Sequence, residues 1–323
     1  MDARLKSFPA DFIKRIQNIF PAGLHQSIFK AFLEKRPISF RVNTIKNTEE
    51  AALTFLEKNK IHFQKDRQIP LCYYFKDTSL KKIRELSLYQ NGGIYLQNAS
   101  SQVVPWVLGP LPGENILDLC ASPGSKTTQI SALMKNSGSI TALEPDAIRY
   151  ERLLSNCKLL GANNVHCIKA RGEVFYKKYL NPTSEPCPVA LFDKVLVDAP
   201  CSGEGTFYIN DKASFAHWSL LFVKEMAALQ KKLLHAAIQV CKPGGHILYS
   251  TCSLAPEENE KIVYDALLSQ PNIKCVPMTP AFPFFKPAIS QWDNVNFTGV
   301  AWARRIYPTN TTQGFFMALL KKN

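Results

Sequence analysis

ILDLCASPGSKTTQI, residues Ile116 to Ile130, decides the fold. A short apolar run ends in Asp118. A turn of small residues follows, Ala121, Ser122, Pro123, Gly124 and Ser125, and a helical pattern starts near Lys126. Strand, tight turn and helix N-terminus in this order make the nucleotide-binding corner of a doubly wound α/β sheet. Small residues let a ligand approach the backbone, and the helix start offers free N–H groups. Two phosphate motifs are excluded. A P-loop needs glycine at the positions held by Cys120 and Ser125, and a dinucleotide fingerprint needs three glycines where only Gly124 stands. Taken alone, the stretch is better explained as an ordinary β-to-α turn, so the rest of the chain has to decide.

Downstream, strand and helix patterns alternate. Strands are expected at Asn115–Leu119, Ser139–Leu143, Val165–Ile168, Lys194–Val197, Gly245–Ser250 and Phe315–Leu320. Helices are expected at Lys126–Met134, Ala147–Leu160, Met226–Val240 and Glu257–Leu268. This is the α/β pattern of a sheet whose ligands sit beyond the C-terminal strand ends. Upstream, Phe12, Ile16 and Ile19, then Leu24, Ile28, Phe29, Phe32 and Leu33, recur at helical spacing between Asp11 and Arg36, interrupted by Pro21-Ala22-Gly23. Pro37–Lys46 alternates as a strand, Thr48 caps a helix through Lys58, and IHFQKD and LCYYFK are short strands. These form a small α+β module over residues 1–90, ahead of a main domain over residues 91–323 that GIYLQNASS (Gly93–Ser101) leads into.

The 323 residues include 39 Lys+Arg against 26 Asp+Glu, a net charge of +13. Residues 1–100 hold 17 of the basic and 9 of the acidic residues, so positive charge is densest in the first third, as in a polyanion-facing module. Nine cysteines are scattered with no C-x-x-C pair, which points to neither a disulfide framework nor a zinc site. The N-terminus lacks a signal-peptide core and no apolar run is long enough to span a bilayer. A monomer with free thiols in a reducing compartment such as the cytoplasm, binding neither metal nor membrane, is expected.

Three strand ends carry chemistry. Glu144, in ALEPDAIR, follows the second strand, where an acid accepts hydrogen bonds from ribose hydroxyls. VDAPCSGEG places Asp198 at the end of the fourth strand and Cys201 in a Gly-rich loop. YSTCSLAPEENE places Cys252 at the next strand-to-helix turn, with Glu257, Glu258 and Glu260 suited to a helix's first turn. Free cysteines are usually small buried hydrophobes. These two instead follow strands on the ligand-bearing edge and lie among turn residues. Cys72, Cys157, Cys167, Cys241 and Cys275 have no such setting and are expected to be structural.

DLCASPGSKT, DAPCSGEG and YSTCSLAPEENE, in this order, resemble the RNA 5-methylcytosine methyltransferases of the Nol/Nop/Sun (Fmu, RsmB/RsmF) family. The similarity extends to Phe40–Asn43, Tyr95–Ser101 and Tyr307–Phe316 and so covers nearly the whole chain. It implies a Rossmann-like class I methyltransferase sheet preceded by a small RRM-like subdomain, S-adenosylmethionine as cofactor, and rRNA or tRNA as substrate. It implies Cys252 as nucleophile, Cys201 as the thiol that assists release, and Asp198 as a hydrogen-bond partner of the cytosine. Cys120, Ala121, Ser122, Pro123, Gly124 and Lys126 would line the methionine end of the cofactor and Glu144 its ribose, with Lys126 also favouring a thiolate. Cytosine C5 is a poor nucleophile, and a thiolate adding to C6 turns the ring into an enamine that C5 can use.

Two positions depart from the family pattern. Ser125 replaces a glycine, and Arg171 stands where an aspartate usually meets the adenine amino group. An arginine cannot accept a hydrogen bond, so either the register shifts to Glu173 or adenine is held differently. The target base must be single-stranded or flipped out. Loops near Trp218 and Arg304–Arg305 are candidates to face the RNA, with Trp218 equally at home in a core. Two other readings are a methyltransferase of DNA cytosine, against which Cys252 speaks, and an RNA-binding assembly factor without catalysis, against which both cysteines speak.

Overall fold

The computed structural model describes residues 2–179 and 191–323. Two helices open the chain, α1 (Ala10–Ile19) and α2 (His25–Leu33). Then come β1 (Ser39–Val42), α3 (Glu49–Lys58), β2 (Phe63–Lys65), β3 (Cys72–Phe75), α4 (Leu80–Glu85), α5 (Ser87–Gln90) and β4 (Ile94–Leu96). These four strands form an antiparallel sheet in the order β2-β3-β1-β4. Thr48 caps α3 as its type suggests, accepting from the Ala51 backbone N–H at 3.1 Å. Phe40, Tyr73 and Phe75 stack in the sheet's core with Leu56 and Ile83. The closing strand β4 lies past residue 90, within the stretch read as the lead-in to the main domain.

The second sheet follows α6 (Ala99–Leu108) and contains β5 (Asn115–Asp118), α7 (Ser125–Leu133), β6 (Ser139–Leu143), α8 (Ala147–Leu160), β7 (Val165–Ile168), α9 (Gly172–Tyr179), β8 (Phe192–Asp198), α10 (Leu220–Val240) and β9 (Cys241–Thr251). Next come α11 (Glu260–Ser269), β10 (Ile273–Cys275), β11 (Lys286–Pro287), the hairpin β12 (Gln291–Trp292) and β13 (Val295–Asn296), β14 (Arg304–Ile306) and β15 (Phe315–Lys322). The order is β11-β14-β15-β9-β8-β5-β6-β7, with β10 beside β15. The strands from β7 to β9 are parallel; β15 runs antiparallel to β9 and brings Phe316 opposite Thr251. The sheet is therefore the Rossmann-like α/β type with a mixed edge. Strands β6 and β7 and helix α8 have the bounds expected from sequence, because alternation and capping are local signals.

One expectation is corrected, and one partnership is new. The apolar stripe of α1 and α2 faces the large domain. Phe12, Ile16 and Phe32 pack against Phe207, Phe215, Trp218 and Leu254, which belong to loops of the large domain. Helix α11 starts at Glu260 rather than Glu257, since Pro256–Asn259 is a turn in which Glu257 accepts from the Arg15 side chain and Glu258 from the Ser202 backbone N–H. Among the described residues, no helix is long and apolar enough to cross a membrane.

Candidate active site

The turn after β5 is held from both sides by strand-end backbone. Leu119 N–H donates to Leu196 O at 3.0 Å and Ala121 N–H to Leu143 O at 2.9 Å. Gly124 has φ +100, a conformation that favours glycine, and its N–H closes the turn on Ala121 O at 2.7 Å. Asp118 is buried behind it, accepting from Thr127 Oγ1 at 2.8 Å and the Cys120 N–H at 3.3 Å. Burial pushes its carboxyl up to about 6. Ser122 donates its hydroxyl to Arg149 O at 2.8 Å, and Pro123 O accepts from Asn156 at 2.7 Å, pinning the turn to α8.

On one side of this turn is a cavity of about 240 Å³ lined by Leu119, Cys120, Glu144, Arg149, Glu173 and Leu233, among others. Glu144 is 2% exposed; one carboxylate oxygen accepts from the Asp146 N–H at 3.0 Å and the other lies 3.3 Å from the Arg149 guanidinium. Arg171 sits at the rim, exposed, with Nε donating to Glu173 Oε1 at 2.7 Å. The cation at position 171 is thus paired with the acid two residues on, and Glu173 is the carboxylate at this strand end.

On the other side is a cavity of about 290 Å³ lined by Tyr95, Gln97, Lys126, Asp198, Cys252 and Phe315, among others. Lys126 Nζ lies 2.6 Å from Asp198 Oδ2 and 5.5 Å from the centre of the Phe315 ring. Asp198 Oδ1 accepts from Ser250 Oγ at 2.9 Å. The ends of β8 and β9 bring Cys201 and Cys252 together with their sulfurs 3.3 Å apart, both as free thiols. Contact with the Cys252 thiol, then burial, holds the Cys201 thiol well above its ordinary range. The structure therefore gathers Lys126, Asp198 and Cys252 around one cavity with Cys201 against it. Cys120, Glu144 and Arg171 gather around the other.

Of the residues named in the two candidate RNA-facing loops, Trp218 takes the core alternative and Arg305 is internal. Trp218 is buried in the core under α1, its indole N–H donating to Glu204 at 2.9 Å. Arg305 is 1% exposed and paired with Glu260, Nε to Oε1 at 2.6 Å, so its charge is spent internally. Arg304 is half-buried and donates to Ala301 O at 2.8 Å. Sequence reasoning gave no role to Tyr95, Gln97 and Phe315, although the first two lie in YLQNASS and the third in TQGFF. It also missed Glu204 and read Glu258 only as a helix first-turn acid, whereas both brace the cysteine turns.

Residues 105–321 match the family model described as 16S rRNA methyltransferase RsmB/F, and residues 8–76 match the RsmF/B-like ferredoxin-like domain. The chain is 38% identical over 266 residues to ribosomal RNA small subunit methyltransferase F of Vibrio vulnificus, covering 79% of this chain and 53% of that protein. It thus spans about half the length of such relatives. It is 36% identical over 306 residues to tRNA (cytosine(49)-C(5))-methyltransferase of Pyrococcus abyssi, covering 91% of each. A methyltransferase homolog from Pyrococcus horikoshii superposes with TM-score 0.78 at 28% identity, over 98% of this chain and 100% of that one. NSun6 from Pyrococcus horikoshii, solved with SFG, shares the fold at TM-score 0.82 and 23% identity, over 98% of this chain and 99% of that one.

Proposed function

The chain belongs to the 16S rRNA methyltransferase RsmB/F family, and from that premise we propose that it methylates C5 of a cytosine in rRNA or tRNA, using S-adenosylmethionine and a covalent bond from Cys252 to C6. The observation that carries this reading is the pair of free thiols at neighbouring strand ends, 3.3 Å apart, beside the Lys126–Asp198 pair.

The first cavity fits an adenosine. Leu119, Leu229 and Leu233 supply apolar walls for a flat ring, and Glu144 offers a buried carboxylate acceptor to ribose hydroxyls. Glu173, rather than Arg171, is the acceptor suited to the adenine amino group, since Arg171 only donates. When bound, S-adenosylmethionine supplies the electrophilic methyl group.

The second cavity receives the flipped cytosine. Asp198, kept in place by Lys126 and Ser250, accepts from the base's polar edge. The Cys252 thiolate forms a bond to C6, and the ring's π electrons move to C5, which becomes able to take the methyl group. A base then removes the C5 proton, the electron pair re-forms the C5–C6 double bond, and the thiolate leaves. Cys201, held as a thiol in contact with Cys252, is placed to protonate the departing sulfur. We assign RNA backbone contacts to the basic module over residues 1–90, where phosphates position and base contacts specify.

The test is methyl transfer from labelled S-adenosylmethionine to total RNA from cells lacking the protein, with the product cytosine located by bisulfite sequencing. Protection of one or a few cytosines by wild-type protein and none by Cys252→Ala supports the reading. Label on a base other than cytosine contradicts it.

A further inference from the structure

Both cysteine turns are tied to one buried carboxylate. Glu258 is 0% exposed and stands in the turn before α11. Its Oε2 accepts from the Ser202 backbone N–H at 2.9 Å and from Gln230 Nε2 at 2.8 Å. Its Oε1 accepts from Ser253 Oγ at 2.7 Å and from Ser202 Oγ. Ser202 directly follows Cys201 and Ser253 directly follows Cys252. The two serine hydroxyls are 3.0 Å apart, and Gln230 also donates to Pro200 O at 2.8 Å, so the network grips Cys201 on both sides. A buried carboxylate is costly to desolvate, and here four donors offset that cost in place of a cation. Helix caps and surface pairs do not need such an arrangement. The chemistry of two thiols on one base does. C5 and C6 are bonded neighbours, so a nucleophile at C6 and a second thiol that serves its release must sit within a few ångströms of each other. A misplacement of 1 Å can cost as much as about 10²-fold in rate.

We propose that Glu258 is the positioning residue of the dithiol: it locks the Cys201 and Cys252 turns together so that the second thiol reaches the adduct made by the first. This rests on the cysteine roles assigned above, and its test is chosen to run without RNA or cofactor. Diamide oxidises two adjacent thiols to a disulfide, both electrons and both protons passing to the azo bond, which becomes a hydrazine. The rate of that closure reports the mutual placement of the two sulfurs. In wild-type protein the Cys201–Cys252 disulfide, followed by mass spectrometry of the linked peptides, is expected to form fast. Glu258→Asp withdraws the carboxylate by one methylene and cannot span both turns, so closure is expected to slow by about tenfold or more. Glu258→Gln keeps the reach and leaves one hydroxyl without an acceptor, so it should recover part of the rate. On RNA, Glu258→Asp is expected to slow release of the product more than formation of the adduct.

A Glu258→Asp protein that melts cooperatively and closes the disulfide at the wild-type rate overturns the proposal. Should that variant not fold, Ser253→Ala decides it: closure slowed by about threefold supports the clamp, and an unchanged rate overturns it. Wild-type closure that depends on Glu258, in a protein with no methylation of any RNA, would leave the clamp standing and remove the functional reading instead.

Discussion

The two sides of the active edge are built differently. The cofactor-side turn, Leu119 to Gly124, is held by backbone hydrogen bonds to its neighbouring strands and by residues within α7 and α8. The cysteine side has backbone bonds of its own, Gly205 N–H to Cys252 O at 2.8 Å among them, and adds side chains from distant parts of the chain. Glu258 joins both cysteine turns to α10, and Glu204 accepts from the Trp218 indole at 2.9 Å and the Leu254 N–H at 3.2 Å. Gly205 has no room for a side chain: a Cβ there would lie 2.2 Å from Gly314 O. In the reading proposed above, one side binds the cofactor with a compact turn of small, mostly buried residues. The other places two sulfurs against each other, and buried polar bracing does that at a cost in desolvation.

That contrast can be broken at several points. The largest effect belongs to Cys252→Ala, expected to abolish methyl transfer while S-adenosylmethionine still binds with wild-type affinity by calorimetry; lost cofactor binding would merge the two sides into one site. Next is Trp218→Ala, which empties a core position under α1 and removes a donor from Glu204. It is expected to cost about 3–5 kcal/mol in denaturant unfolding, with RNA affinity of the folded fraction unchanged. Weakened RNA binding by a still-stable variant would return Trp218 to the RNA surface.

Glu204 gives a pH signature of comparable size. Burial, then the charge of Glu258, pushes its carboxyl up to about 7, against an ordinary value near 4.5, while Arg15 and the indole donor act the other way. A raised acid binds its proton more tightly folded than unfolded. Its protonated form therefore contributes stability fully below about 4.5, and that contribution is lost as pH rises toward 7 and beyond. Unfolding free energy should fall across this window by at most about 3–4 kcal/mol. Glu204→Gln should flatten the slope, and a slope that persists unchanged would assign it to other groups.

On the cofactor side the effects are smaller. Glu144→Ala is expected to weaken S-adenosylmethionine binding by about 1–3 kcal/mol, and unchanged affinity in a folded variant would take Glu144 out of the site. The smallest effect is expected of Arg171→Asp. It removes an exposed cation from Glu173 and should leave affinity unchanged or modestly tighter, whereas clear weakening would give Arg171 itself a cofactor contact.

The same contrast explains what was legible in the sequence. Turn, strand and cap signals sit within a few residues of each other, so β6, α8, Thr48 and the Gly124 turn could be read directly. The motifs placed Cys201 and Cys252 on one edge, and the pleat of adjacent strands then made them neighbours. What could not be read was long-range partnership. Glu257 and Glu260 look like ordinary first-turn acids, yet they pair with Arg15 and Arg305, 242 and 45 residues away in sequence. The stripe of α1 and α2 announces a buried face without saying that the large domain covers it. Position 171 was likewise readable as an arginine, but only the structure turns it onto Glu173.

The central claim, two thiols with divided roles on one base, is tested most directly on a denaturing gel. Cys201→Ala, incubated with S-adenosylmethionine and a substrate RNA, is expected to attack and methylate once and then remain bound as a protein–RNA adduct that survives denaturation. Cys252→Ala is expected to show no adduct at all. Adducts with Cys252→Ala and none with Cys201→Ala would move the nucleophile to the turn after β8 and contradict the account.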